Sequence, residues 1–154
     1  MTDFSGRHVV VMGLGRFGGG IGVTRWLAQQ GARVTVTDAA PAEALADSVD
    51  QLADLPITFH LGGHELSDLD DCDLLVISPA VPRERSTFVQ EACDRGIPLS
   101  SEMNLFLERC PARVAGITGS AGKSTTTAML GAILEAAGKR GEIARSWVGG
   151  NIGR

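Results

Sequence analysis

Apolar residues follow two patterns along the chain: short continuous runs, and longer segments in which they recur at helical spacing. Continuous runs of this length are typical of strands that are buried on both faces of a parallel sheet. Such runs predict strands at His8–Met12 and Asp73–Ser78, and shorter apolar segments predict strands at Arg33–Thr37, Ile57–Leu61 and Pro98–Ser100. The helical spacing predicts helices at Val23–Gln30, Pro41–Leu55, Ser86–Arg95 and Asn104–Arg109.

Strands that alternate with helices predict an α/β fold, a Rossmann-like doubly wound parallel sheet. Right-handed crossovers then bring the loops that follow the strands to one edge of that sheet. We therefore expect the functional residues of this part of the chain in those loops.

The pattern restarts after Cys110-Pro111-Ala112. Residues 113–118 predict a strand, 119–122 a loop, 123–137 a helix and 143–148 one more strand. We predict a Rossmann-like domain over residues 1–109 and the beginning of a P-loop ATPase domain over residues 110–154. The second segment is near the ~40-residue size below which chains seldom fold unaided, so we expect it to be loosely attached with frayed last residues.

Composition and charge narrow the class of function. The 154 residues carry 14 basic and 18 acidic side chains, a formal charge of −4, whereas nucleic-acid binders usually present a basic face. No apolar run is long enough for a membrane span, and the amino terminus lacks the basic start and apolar core of a signal peptide. Three widely spaced cysteines indicate reduced thiols, not a disulfide framework or a zinc site. We expect a cytoplasmic monomer that binds neither nucleic acid nor membrane.

Glycine is abundant and clustered: of 20 glycines, twelve lie in three segments, at residues 13–22, 116–122 and 149–153. Clustered glycine indicates a backbone that turns tightly or approaches another group closely. Within the first segment, Gly19, Gly20 and Gly22 fit no recognised pattern. Because glycine weakens the start of a helix, they predict a longer loop before the helix begins.

The first cluster places Gly13, Gly15 and Gly18 in the pattern G-x-G-x-x-G, between a predicted strand and a predicted helix. Asp38 ends the next strand, 20 residues after Gly18, as the dinucleotide-binding fingerprint requires. Such glycines permit a tight turn and let backbone N–H groups face a diphosphate at the positive end of a helix. We predict a nucleotide-diphosphate site, with Asp38 accepting hydrogen bonds from the ribose or the base.

The second cluster, residues 116–125, reads Gly-Ile-Thr-Gly-Ser-Ala-Gly-Lys-Ser-Thr. It matches a phosphate-binding loop except that Ile117 takes the place of the first glycine of the strict form. Backbone amides would hold the phosphates of ATP, Lys123 would meet the β and γ charges, and Ser124 would bind Mg²⁺. The residues predicted to bind ATP are Gly119, Ser120, Ala121, Gly122, Lys123, Ser124 and Thr125.

Together the two loops resemble the muramyl ligase family of peptidoglycan synthesis. The resemblance rests on Gly13-Leu14-Gly15, Val76-Ile77-Ser78-Pro79, Glu102-Met103-Asn104-Leu105-Phe106, residues 116–127, and Gly149-Gly150-Asn151-Ile152-Gly153. The Lys-Ser-Thr spelling at residues 123–125 favours the family member that adds D-glutamate.

The resemblance implies an ATP-dependent amide-bond-forming ligase of three domains. They bind, in order, the UDP of UDP-N-acetylmuramoyl-L-alanine, ATP with Mg²⁺, and D-glutamate. ATP would phosphorylate the L-alanine carboxylate and the amine of D-glutamate would attack the acyl phosphate, with Lys123 as the catalytic residue. The residues implied for the UDP-linked substrate are Gly13, Gly15, Arg16, Phe17, Gly18, Asp38, Ser78, Pro79, Ala80 and Asn151. Of these, we expect Phe17 to pack against the uracil.

Two other classes of function stay open. An NAD(P)-dependent oxidoreductase explains the first loop but gives Lys123 and Ser124 no role. A non-catalytic nucleotide-binding module fits the length best and the motifs less well. Because members of the resembled family run to several hundred residues, we expect this chain alone to bind UDP-type ligands weakly or moderately and to lack ligase activity.

Overall fold

The protein is described by a computed structural model over residues 3–15 and 19–150. The chain divides into two compact units, Met1–Pro111 and Ala112–Arg154. Across the described ranges, no helix is both long and apolar enough to cross a bilayer.

The first unit is built on a five-stranded sheet whose strands all pair in parallel. The strands are β1 (His8–Met12), β2 (Arg33–Asp38), β3 (Ile57–Leu61), β4 (Leu74–Ile77) and β5 (Leu99–Ser100). Their order across the sheet is β3-β2-β1-β4-β5. Strands β2 and β3 therefore lie on one side of β1 and strands β4 and β5 on the other, so the strand order switches between β1 and β4, as in a Rossmann sheet. The predicted α/β, Rossmann-like parallel sheet is confirmed.

Four helices connect or follow these strands, and serine caps decide where two of them begin. The helices are α1 (Gly19–Gln29), α2 (Ala42–Asp50), α3 (Thr87–Asp94) and α4 (Glu102–Arg109). The Ser86 hydroxyl accepts a hydrogen bond from the Val89 N–H, and the Ser101 hydroxyl accepts one from the Asn104 N–H, each at 3.2 Å. Because Ser101 caps it, α4 begins two residues before the predicted start.

The central strand β1 contributes side chains to a hydrophobic core on each face of the sheet, and all five of its residues are buried. Successive side chains of a strand point to opposite faces. One core contains Val9, Val11, Leu27, Val34, Val36 and Leu52, and the other contains Val10, Met12, Leu75, Ile77, Phe88 and Val89. Packing on both faces fixes the position at which β1 ends, and so the start of the glycine-rich loop.

Helix α1 begins at Gly19, and the prediction that Gly19, Gly20 and Gly22 extend the loop was wrong. The reason is that the backbone of α1 at Gly20 lies very close to the backbone of the loop after β1. A side chain carbon on Gly20 would lie 2.2 Å from the Leu14 carbonyl oxygen and 2.6 Å from that of Gly13. Tertiary packing therefore needs glycine inside the helix and overrides the low helix propensity of this residue.

The second unit contains one helix, α5 (Lys123–Lys139), and no strand within residues 112–150. The predicted helix is present, whereas the strands predicted at 113–118 and 143–148 are not formed. A strand is stable when a neighbouring strand accepts and donates its backbone hydrogen bonds, and residues 112–150 provide no such neighbour.

Candidate nucleotide-binding site

The loop after β1 lies against the carboxyl ends of both neighbouring strands. The Gly13 N–H donates to the Thr37 carbonyl oxygen at 2.8 Å, and the Ser78 N–H donates to the Met12 carbonyl oxygen at 2.9 Å. Gly13 has a φ of +93°, and a side chain carbon there would lie 2.8 Å from the Ser78 β-carbon. Glycine is needed at this position both for its backbone conformation and for its close contact with the loop after β4.

Asp38, at the end of β2, holds this loop through its carboxylate. One oxygen, Oδ2, accepts hydrogen bonds from the backbone N–H groups of Leu14 at 2.8 Å and Gly15 at 3.2 Å. The other oxygen, Oδ1, accepts from the Ala40 N–H at 2.9 Å. On the far side of the loop, the buried Ser48 hydroxyl of α2 donates to the Gly15 carbonyl oxygen at 3.0 Å. The loop is thus fixed by one side chain from β2 and one from α2.

This arrangement gives Asp38 a structural role beside the ligand-binding role that the sequence predicts. The sequence predicted Asp38 as an acceptor for a ribose or a base. In the structure, two of its acceptor positions on Oδ2 are already used by the loop, and Oδ1 keeps room for one further donor. The bracing of the loop was missed, although an acid directly after a strand and opposite unpaired turn N–H groups could have indicated it.

A cleft of about 510 Å³ opens at the same edge of the sheet, between the loops after β3 and β4. His64 and Phe88 form part of its wall, with ring centroids 5.4 Å apart. The His64 ring is held by a 2.8 Å hydrogen bond between Nδ1 and the buried Thr37 hydroxyl. Arg85 and Ser86 contribute polar groups to the wall. None of these four wall residues was predicted as a site residue, because they come from separate segments of the chain that only the fold brings together.

Among the described residues, those predicted to bind the UDP-linked substrate lie at this edge of the sheet. Ser78, Pro79 and Ala80 form the turn after β4, in which the Val81 N–H donates to the Ser78 carbonyl oxygen at 3.0 Å. The Ala80 N–H also faces the Ser78 hydroxyl at 3.4 Å. The predicted residues Arg16, Phe17, Gly18 and Asn151 lie outside the described residues.

In the second unit, the predicted ATP loop leads directly into α5. Gly122 stands immediately before the helix with a φ of +75°, a conformation that favours glycine. The Lys123 ammonium folds back over the loop and donates to the Gly119 carbonyl oxygen at 2.6 Å. Ser120, Ala121, Ser124 and Thr125 are exposed around it. The loop therefore presents a cation and the first turn of a 17-residue helix on the surface of the unit.

Comparison with known proteins identifies the family. A protein-family model described as "Mur ligase MurD-like, N-terminal domain" matches residues 7–101, which is more than half of the chain. The chain belongs to the MurD-like Mur ligase family. The match covers the sheet, the glycine-rich loop and Asp38.

Curated relatives of the same family extend the similarity into the second unit. The UDP-N-acetylmuramoylalanine--D-glutamate ligase of Roseiflexus sp. (strain RS-1) is 46% identical over 132 residues, which is 86% of this chain and 28% of that relative. The ligase of the same name from Desulfosudis oleivorans is 42% identical over 152 residues, which is 99% of this chain and 31% of that relative. The chain thus spans about a third of the length of the curated relatives it matches.

A solved structure also matches the fold of this MurD-like chain. The pseudomurein peptide ligase type C from Methanothermus fervidus aligns with a TM-score of 0.56 and 29% identity. The alignment covers 86% of this chain and 26% of the other one.

Replacing Asp38 should loosen the loop after β1. We expect Asp38→Ala to lower the free energy of unfolding by about 1–3 kcal/mol, because three backbone N–H groups lose a charged acceptor. The amide protons of Leu14 and Gly15 should also exchange faster with solvent. Urea denaturation and hydrogen exchange measure these effects. The matched control is Asp47→Ala on the exposed side of α2, which should change stability by less than about 0.5 kcal/mol. Equal effects of the two substitutions would contradict the bracing role.

Proposed function

We propose that this chain forms the UDP-binding part and the ATP-loop segment of a ligase that joins D-glutamate to UDP-N-acetylmuramoyl-L-alanine. The observation that carries the proposal is the similarity to D-glutamate ligases, which runs over 99% of the chain in the Desulfosudis oleivorans relative. It therefore includes both glycine-rich loops. The reaction belongs to peptidoglycan synthesis, and through it to cell-wall biogenesis, cell shape and cell division. The proposal includes a monomer that acts in the cytoplasm.

The geometry of the first loop supports a diphosphate at the start of α1. Asp38 occupies the N–H groups of Leu14 and Gly15, so these two donors are not free for a ligand. The first-turn N–H groups of α1 have no partner within the helix, and the positive end of the helix dipole lies there. A UDP diphosphate would therefore bind at the first turn of α1. The remaining acceptor position on Asp38 Oδ1 and the turn at Ser78 would face the uridine.

The second loop fits the phosphates of ATP. The amino end of α5 and the Lys123 ammonium both supply positive charge at the loop, and the exposed Ser124 hydroxyl is a suitable oxygen ligand for Mg²⁺. When bound, ATP supplies the phosphoryl group that converts the substrate carboxylate into a reactive acyl phosphate. Lys123 offsets negative charge on the phosphates, which is the main contribution that a protein makes to phosphoryl transfer. Asn151 is proposed to contact the muramoyl part of the substrate.

The two competing classes account for less of the chain. An NAD(P)-dependent oxidoreductase would use the first loop, but it leaves Lys123 and the loop before α5 without a role. A non-catalytic nucleotide-binding module would use both loops but does not account for the similarity to ligases. Each class predicts a different ligand, so a binding experiment separates them.

We expect the 154-residue chain to bind UDP saturably and to bind NADH much more weakly. The diphosphate is common to both ligands, so the difference reports the nucleoside that the site accepts. Isothermal titration calorimetry with UDP and with NADH measures both affinities under the same conditions. Tighter binding of NADH would favour the oxidoreductase, and binding of neither ligand would contradict the proposal.

Lys123→Ala should weaken ATP binding at least about tenfold, because a charged donor to the phosphates is lost. Lys139→Ala is the matched control, since Lys139 lies at the other end of α5 and pairs with Glu135 at 2.8 Å. Titration of each variant with ATP in the presence of Mg²⁺ gives the comparison. Equal ATP affinity of the two variants would refute the role of Lys123.

A further inference from the structure

The glycines at the start of α1 leave one side of its first turn bare, and a carboxylate from α4 lies there. A side chain carbon on Gly19 would lie 2.7 Å from Glu102 Oε2, and one on Gly22 would lie 3.9 Å from Glu102 Oε1. Gly20 is already required by the loop after β1. Glycine at position 19 therefore leaves room for the Glu102 carboxylate, which also lies within contact distance of Gly22.

Within the described ranges, no hydrogen bond or ion pair joins the Glu102 side chain to another residue. Desolvation raises the pKa of the Glu102 carboxyl group, because it disfavours the charged form. The residue as a whole is exposed, whereas Ser101 and Leu105 of the same region are buried. The Glu102 carboxylate can therefore act on a ligand at α1 through its charge.

The position of Glu102 bears on ligand binding, because the first turn of α1 is the proposed site of the UDP diphosphate. The first-turn N–H groups form the positive end of the helix, and an acidic group nearby is stabilising when no other anion is present. A nucleoside diphosphate brings two or more negative charges to the same end of the helix. The Glu102 carboxylate and the diphosphate are then like charges a few ångströms apart, and they repel each other.

We propose that the Glu102 carboxylate weakens diphosphate binding at this site through its charge. It lies beside the first turn of α1 in the ligand-free chain and repels the diphosphate when that arrives. Glu102 is thus a specificity-determining residue that sets how strongly the site responds to the charge of its ligand. This inference rests on the proposed UDP-binding function.

A purely structural role for Glu102 makes a different prediction. If the side chain served only to hold α1 against α4, its replacement would disturb the whole site. Binding of charged and uncharged ligands would then fall together. A role through charge affects only the ligand that carries the diphosphate, so UDP and uridine together distinguish the two roles.

The test compares the native chain with Glu102→Gln, which removes the charge and keeps the shape, and with Glu108→Gln as a control. Glu108 lies on the same helix and its side chain is 61% exposed. Its Oε2 atom lies 3.4 Å from Nη1 of Arg109. Binding of UDP and of uridine to each 154-residue chain is followed by NMR titration, which reaches millimolar dissociation constants. Thermal unfolding of each variant verifies that it folds.

We expect Glu102→Gln to bind UDP about three- to tenfold more tightly than the native chain, as removal of one nearby like charge implies. Uridine affinity should stay within about twofold, and Glu108→Gln should behave like the native chain. Unchanged or weaker UDP binding by Glu102→Gln, or an equal change for UDP and uridine, would overturn the repulsive role of Glu102 while leaving the proposed function intact. Absence of UDP binding by every form would overturn both.

Discussion

The contact between the Asp38 carboxylate and the backbone of the loop after β1 is the constraint on which the candidate site depends. A loop of glycines has many conformations, and its ordering costs conformational entropy. Two hydrogen bonds from Leu14 and Gly15 to Asp38 Oδ2, with the Ser48 hydroxyl on the opposite side, select one of them. The loop can then lie close enough to α1 that only glycine fits at position 20.

This constraint also bears on the proposed UDP site. Because the Asp38 carboxylate accepts from the N–H groups of Leu14 and Gly15, we infer that the diphosphate takes donors from the first turn of α1. The Glu102 carboxylate lies beside the same turn, 2.7 Å from the place that a side chain carbon on Gly19 would take. Glycine at position 20 is therefore required by a close backbone contact, whereas glycine at position 19 leaves room for an acidic side chain.

Short apolar segments predicted all five strands, and the continuous run of β1 left few alternatives because it is buried on both faces. β1 and β3 have the predicted bounds of His8–Met12 and Ile57–Leu61. The start of α1 was mispredicted because intrinsic propensity disfavours glycine in helices while tertiary packing at Gly20 requires it. The strand predicted at 113–118 failed for a related reason, since an apolar run needs a partner strand that residues 112–150 do not supply.

The candidate site was predicted only in part, again because some of its contacts depend on tertiary packing. Local motifs indicated Gly13, Gly15 and Asp38, whose spacing along the chain carries the signal. The bracing by Asp38 and the wall formed by His64 and Phe88 depend on contacts between distant segments, which a single sequence does not reveal. The function of such residues is visible only once the strands are placed side by side.

The central claim is that UDP binds where the loop after β1 meets the first turn of α1. The most direct test is to titrate the isotope-labelled chain with UDP and to follow the backbone amide signals by NMR. The account predicts that the largest shifts occur at Gly13–Gly15 and Gly19–Gly22, with smaller ones at Ser78–Ala80. Shifts confined to the opposite edge of the sheet, near His8 and Arg33, would contradict it.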